Sequence, residues 1–258
     1  MNLRVTCVQS DIIGREPEAN RAHFDELLRD VKDTDLIVLP ETFTTGFPAD
    51  PNVYAESLDG PTMQWLRDKA KEKDAIVCGT FILKTDDFHN SFVWMLPDST
   101  YHIYNKRHLF TMAGEVGLRE GSECITIEWR GWRIRPFVCY DLRFPIWNRN
   151  RLVDGRFEYD LAVYSAEWPR SKAYIWDTLL KARAIENQAY TVGVNRIGTD
   201  DNDIPYIGGS IVVSMKGREM AKANDDKECV FTTELSMEEL KAFRNYFTVS
   251  KDWDDFRP

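Results

Sequence analysis

Arg133-Ile134-Arg135-Pro136-Phe137-Val138-Cys139-Tyr140-Asp141-Leu142-Arg143-Phe144-Pro145 begins as an apolar strand with β-branched members and stops at a cysteine. An acid, an arginine and a proline follow, and Trp147, Asn148, Arg149 and Asn150 suggest a helix. A strand that ends in cysteine and turns at once into a helix places the thiol at the carboxyl edge of a sheet, beside unpaired helical N–H groups. Those donors and the positive end of the helix dipole favour a thiolate and any oxyanion formed next to it. Cys139 is therefore a candidate nucleophile. The competing reading is a small buried hydrophobe, so a base and an oxyanion partner must come from elsewhere in the chain.

Working outward, the same architecture recurs. Leu3 to Gln9 reads as a buried strand, and Pro17 opens a helix whose stripe is Phe24, Leu27, Leu28 and Val31. Leu36-Ile37-Val38-Leu39 has the pattern of a strand covered on both faces and ends at Pro40-Glu41. A helix is expected from Pro61 to about Lys73, then strands at 75–83, 91–96 and 101–105, the last running into Lys106. Thr111 to Ser122 is a long aperiodic loop of a kind that is often functional. Ile125–Trp129 and Arg133–Val138 form an expected hairpin about Arg130-Gly131-Trp132. Strands at 161–165, 190–194, 211–215 and 230–235 follow, with a helix at 174–188 and a polar loop at 198–203. Ser236-Met237-Glu238-Glu239 has capping-box spacing for a last helix. The tail carries Trp253 and Phe256 and is expected to dock on a partner chain or on the body. Strands alternating with helices, without repeat or linker, indicate one α/β domain over residues 1–258 with mixed sheets.

The totals narrow the function. A chain of 258 residues with 43% apolar and 29% charged residues suits a globular protein with a substantial core. A net charge of −9 argues against a nucleic-acid surface and an anionic membrane. Five scattered cysteines, none in a CxxC pair, form neither a disulfide framework nor a zinc site. Residues 1–5 read directly into a strand, with no signal segment or membrane span, so the expected location is the cytoplasm.

Glu41, Lys106 and Cys139 each stand just past an apolar strand, where ligands gather in open α/β sheets. A carboxylate, an ammonium and a thiol there suit acyl transfer: Glu41 takes the thiol proton, Cys139 attacks a carbonyl, and Lys106 holds the oxyanion. Taken singly, Glu41 also suits a turn cap and Lys106 a solvated surface lysine.

Leu39-Pro40-Glu41-Thr42-Phe43, Tyr104-Asn105-Lys106-Arg107-His108-Leu109-Phe110 and Val138-Cys139-Tyr140-Asp141-Leu142-Arg143-Phe144-Pro145 resemble the three signatures of the nitrilase superfamily, the carbon–nitrogen hydrolases. Ala182-Arg183-Ala184-Ile185-Glu186-Asn187-Gln188 and Val194-Asn195-Arg196-Ile197-Gly198 are similar to two further family segments. The pairing of Trp129-Arg130-Gly131-Trp132-Arg133 with Cys139-Tyr140-Asp141-Leu142-Arg143 most resembles the bacterial omega-amidase branch, which includes 2-oxoglutaramate amidases. The resemblance implies an α-β-β-α sandwich that pairs as a homodimer, with the segment from about 236 to 258 at the interface. It also implies a Glu41–Lys106–Cys139 triad needing no metal or cofactor, and the backbone N–H of Tyr140 as second oxyanion donor.

A second glutamate is implied in the loop after the lysine, with Glu115 chosen and Glu120 the rival. That loop departs from close relatives at Val116-Gly117-Leu118, which are richer there in His and Tyr. Ala166-Glu167-Trp168-Pro169 also departs, with Glu167 where asparagine is common; a carboxylate facing the pocket would disfavour an anionic substrate. Arg143 and Trp168 are assigned to the pocket wall and the substrate carboxylate, the alternative for Arg143 being a structural pair with Asp141 or Glu186. His108 reads as a structural hydrogen-bonder. Cys7 and Cys78 read as packing, and Trp129, Trp132 and Trp147 as core or interface.

The leading expectation is a thiol amidase cleaving the terminal amide of a small 2-oxo acid. Alternatives are an N-carbamoyl amine hydrolase, a deaminated-peptide amidase, a nitrile hydrolase and, outside enzymes, a reactive-thiol sensor.

Overall fold

The computed structural model describes residues 2–254. Most of its strands sort into two six-stranded sheets of matching plan, and the rest form two small two-stranded sheets. In the first, β1 (Asn2–Gln9), β2 (Leu36–Val38) and β3 (Ile76–Lys84) run parallel. Antiparallel β4 (Phe88–Met95) and β5 (Tyr101–Asn105) extend one side. The second sheet starts from the hairpin of β6 (Ile127–Trp129) and β7 (Trp132–Val138), and β7 pairs in parallel with β8 (Leu161–Ala166), as β8 does with β9 (Tyr190–Asn195). Antiparallel β10 (Ile211–Val213) and β11 (Glu219–Lys222) complete it, and β12 (Cys229–Ser236) returns to pair with β1.

The alternation of each strand divides the apolar residues between two layers. Leu36, Val38, Ile76 and Cys78 face the second sheet in one core cluster with Val138, Val163 and Val192. Their neighbours Ile37, Leu39 and Val77 turn to the other face, under Phe24 and Leu28 of α1 (Pro17–Leu28) and Met63 and Leu66 of α2 (Pro61–Lys73). Trp176, Leu180 and Ala184 of α3 (Ala173–Asn187) join the cluster of the second sheet. The result is the expected α-β-β-α sandwich, in one domain. Ser236 Oγ accepts from the Glu239 N–H and starts α4 (Met237–Tyr246).

Three expectations need correction. The strand placed at 91–96 begins at Phe88, because its ladder with β3 continues through His89 and Asn90. The polar stretch at 198–203 runs into a small hairpin: Ile197–Thr199 pairs with Pro205–Ile207, and residues 200–204 form its tip. After Cys139 there is no long helix: a 3₁₀ turn spans Cys139–Arg143 and a single helical turn follows at Pro145–Asn148. Asp141 and Asn148 hold this segment through their side chains. The Asp141 carboxylate accepts from the Val138 N–H at 3.0 Å, and Asn148 Nδ2 donates to the Asp141 and Phe144 carbonyls.

Cys7 and Cys78 are fully buried, and burial pushes both thiols up, as packing residues require. Trp132 and Trp147 are also core residues. In the tail, Trp253 lies edge-on to Phe157 and beneath Arg149, docked on the body; Phe256 lies outside the described residues. No helix among the described residues is long and apolar enough to cross a membrane.

Candidate active site

The two sheets meet so that their strand ends share one crevice. β5 is antiparallel to β4, which is antiparallel to β3, so β5 runs in the sense of β2. Glu41 and Lys106 therefore leave the first sheet at the same edge. Cys139 and Glu167 leave the second sheet from the parallel neighbours β7 and β8.

Lys106 bridges the carboxylates. Its Nζ donates to Glu41 Oε1 at 2.8 Å and to Glu115 Oε2 at 2.7 Å, and each of the three residues is only 2% exposed. Burial opposes the ammonium charge, but Glu115 and Glu41 outweigh it and hold the Lys106 pKa well above the usual lysine value. Glu115 is thus the glutamate at the site. Glu120 instead pairs with Arg107 at the surface. The surface-lysine reading of Lys106 fails for the same reason: the long loop folds back, and Glu115 also accepts from the Phe110 N–H at 2.6 Å.

Cys139 sits at the first residue of the 3₁₀ turn with φ of 39°, a left-handed conformation uncommon for a residue with a Cβ. Its Sγ lies 3.6 Å from the Glu167 carbonyl oxygen. Burial pushes the thiol well above its usual pKa, and the Glu41 charge adds to this, while Lys106 pulls the other way. A thiol raised in this way needs a base to become a nucleophile. Beneath it, Asp141 is fully buried and accepts from Tyr104 Oη at 2.7 Å and from His108 Nδ1 at 2.8 Å. His108 stacks on Phe144 at 3.7 Å, which makes it the structural hydrogen-bonder expected.

Glu167 has a divided role. Its backbone N–H donates to Glu41 Oε2 at 2.9 Å. Its carboxylate accepts from Thr42 Oγ1 and from Arg196 Nη1. The carboxylate charge is therefore met inside the protein, which removes the expected objection to an anionic substrate. Arg143 pairs with neither proposed partner: Asp141 is held by Tyr104 and His108, and Glu186 by Arg183. Arg143 lies over the Trp168 ring at 4.8 Å instead. The pocket beside Cys139 is lined by Phe110, Tyr140, Trp168 and Pro169, by the cations Arg143 and Lys172, and by Glu167. Asn195 fixes Trp168 by accepting from its N–H and donating to its carbonyl, at 2.7 and 3.0 Å. Among the described residues no group of three or more His, Cys, Asp or Glu side chains is placed to hold a metal ion.

Two contributors escaped the sequence reading. Asn90 Nδ2 donates to both Glu41 Oε1 and Glu115 Oε1 at 2.9 Å. The sequence carried no signal for it, because the expected strand began one residue later, and only the ladder with β3 places Asn90 inside a buried strand. Arg196 lay within a recognised segment, yet nothing local linked it to Glu167.

A model of the carbon–nitrogen hydrolase family matches residues 4–245, and the chain belongs to that family. Omega-amidase YafV of Yersinia enterocolitica is 45% identical over 258 residues, covering 98% of this chain and 98% of its own. The 2-oxoglutaramate amidase of Bacillus subtilis is 32% identical, covering 100% of this chain and 98% of its own. A solved carbon–nitrogen hydrolase superfamily protein from Xanthomonas campestris, with an arsenic adduct in its active site, superposes with a TM-score of 0.98 at 39% identity. That match covers 100% of this chain and 99% of the other.

Proposed function

We propose that the chain is an omega-amidase, hydrolysing the terminal amide of small 2-oxo acids such as 2-oxoglutaramate and 2-oxosuccinamate to the acid and ammonia. The observation that carries the reading is the buried Lys106 ammonium between Glu41 and Glu115, at the same crevice as the Cys139 thiol. The omega-amidase names of near-full-length relatives support the substrate class.

Glu41 accepts the Cys139 proton as sulfur attacks the amide carbon. The carbonyl π electrons move to oxygen, and that oxyanion is met by the Lys106 ammonium and the Tyr140 backbone N–H. Collapse expels the amide nitrogen, which takes the proton from Glu41 and leaves as ammonia, and the acyl group stays on sulfur as a thioester. Glu41 then removes a proton from water as its oxygen attacks the thioester carbon. The acid departs and the thiol recovers its proton. Glu115 keeps Lys106 charged and oriented, and Arg143 meets the substrate carboxylate.

We further propose a homodimer in the cytoplasm. Tyr174 and Ile185 on α3 are 82% and 55% exposed, and Tyr246 and Phe247 at the end of α4 are 89% and 50% exposed, an apolar surface suited to a second copy. Light scattering at micromolar concentration reads the oligomer directly, and a monomer there defeats this part.

The function is tested by ammonia release from 2-oxoglutaramate, 2-oxosuccinamate, glutamine and an N-carbamoyl amine, with the wild type beside Cys139→Ala. Ammonia from the oxo-acid amides, lost in the variant, supports the reading. Release from the carbamoyl amine alone, with carbon dioxide, moves the substrate. Turnover that survives Cys139→Ala defeats the mechanism.

A further inference from the structure

Two cations, Arg143 and Lys172, line the Cys139 pocket, and neither forms an ion pair among the described residues. Arg143 lies over the Trp168 ring at 4.8 Å, and the Lys172 ammonium lies over the Phe110 ring at 5.0 Å. Aromatic faces attract cations and hold these two flexible side chains in place without consuming their charge. The backbone under Lys172 is tied to the same wall, since its carbonyl accepts from Trp168 Nε1 at 2.8 Å.

The carboxylates of the site are all engaged elsewhere. Glu41 and Glu115 are bound by Lys106, and Glu167 by Arg196. Glu167 lines the pocket too, but it is paired with Arg196, so Arg143 and Lys172 leave the lining locally cationic on a chain whose net charge is −9. A surplus of two unpaired cations there opposes the overall charge and calls for an anionic guest.

We infer that Lys172 works with Arg143 as a carboxylate clamp, and that Lys172 is a specificity-determining residue selecting amides whose far end carries a carboxylate. This rests on the amidase reading for its choice of substrate. The planar guanidinium suits both oxygens of a carboxylate at once, while the lysine adds a point charge from its place over the Phe110 ring. The amide end is thereby presented to the thiol, and a neutral amide gains nothing from the clamp.

The test compares wild type, Lys172→Met and Lys172→Arg in two assays. The first is the ratio of kcat/KM for 2-oxoglutaramate to that for pentanamide, a neutral amide of similar length. The second is the ratio of Cys139 alkylation rates by iodoacetate and iodoacetamide, which needs no turnover. Lys172→Met is expected to lower both ratios at least tenfold, with the first falling mainly through KM, and Lys172→Arg to restore most of each. Added salt should lower the wild-type ratios in the same direction. If neither 2-oxoglutaramate nor pentanamide is hydrolysed but the alkylation ratio falls as expected, the clamp stands and the amidase reading fails. If turnover persists and Lys172→Met leaves both ratios unchanged, the clamp is wrong and the amidase reading stands. Equal loss of rate toward charged and neutral reagents also overturns it, because that outcome marks a merely structural lysine.

Discussion

The Glu167 carboxylate meets the Arg196 guanidinium at 3.1 Å, with both side chains only 1% exposed. Through its backbone N–H, the same glutamate holds the Glu41 carboxylate. Breaking a buried pair from one side strands a charge. Arg196→Met is therefore expected to destabilise the protein by about 3 kcal/mol in urea unfolding, with Glu167 taking up a proton. The double variant Arg196→Met/Glu167→Gln should recover much of that loss, and strict additivity of the two single changes would contradict the coupling.

Burial pushes Glu167 up to about 7, against the opposing pull of Arg196 and Thr42. Its folded pKa lies above the unfolded value, so its contribution to stability is present below the ordinary glutamate pKa and is lost as pH rises through about 7. Between those two pH values the wild type should lose more stability than Glu167→Gln. Parallel stability curves for the two proteins would refute this.

Asn90 is the shared donor to Glu41 and Glu115. Asn90→Ala removes hydrogen bonds to charged groups, worth about 1.5–3 kcal/mol each, so kcat is expected to fall by roughly tenfold to a hundredfold. KM should change less, since Asn90 touches the carboxylates and does not line the pocket. Asn90→Asp should be worse than alanine, because it adds a third carboxylate beside Lys106.

Burial first, and then the Glu41 charge, raises the Cys139 thiol. Glu41→Gln removes the second cause and also removes the proposed base. Alkylation by iodoacetamide should therefore begin to accelerate at lower pH in Glu41→Gln than in wild type, even as amide turnover is lost. An unchanged alkylation profile would show that the Glu41 charge does not reach the thiol.

Lys106 behaves with the opposite charge. Its folded pKa is raised, so the stability it contributes is complete below the ordinary lysine pKa and is lost only as pH rises through the higher folded value. Lys106→Met should lose about a hundredfold to a thousandfold in kcat, the usual cost of an oxyanion donor. It should also unfold more readily, with two buried carboxylates left unpaired, and a variant as stable as wild type would count against the pairing.

The sequence by itself determined most strands of the two large sheets, because those carry an apolar run or alternation strong enough to be read locally; Glu219–Lys222, with no such run, was decided by its pairing with β10. It also determined that Glu41, Lys106 and Cys139 each follow a strand, which with the family motifs was enough to name the candidate triad. The choice of Glu115 over Glu120 belonged to the tertiary structure. Both lie in one aperiodic loop, and only its folding back over Lys106 separates a buried carboxylate from a surface one. Asn90, Arg196 and Lys172 were hidden for a related reason: their partners are distant in sequence, or are the faces of rings set by another element. The direction of the Glu167 carboxylate was decided in the same way. Its backbone faces the site and its side chain the Arg196 guanidinium, so a charge that looked adverse to an anionic substrate is neutralised by a contact 29 residues away.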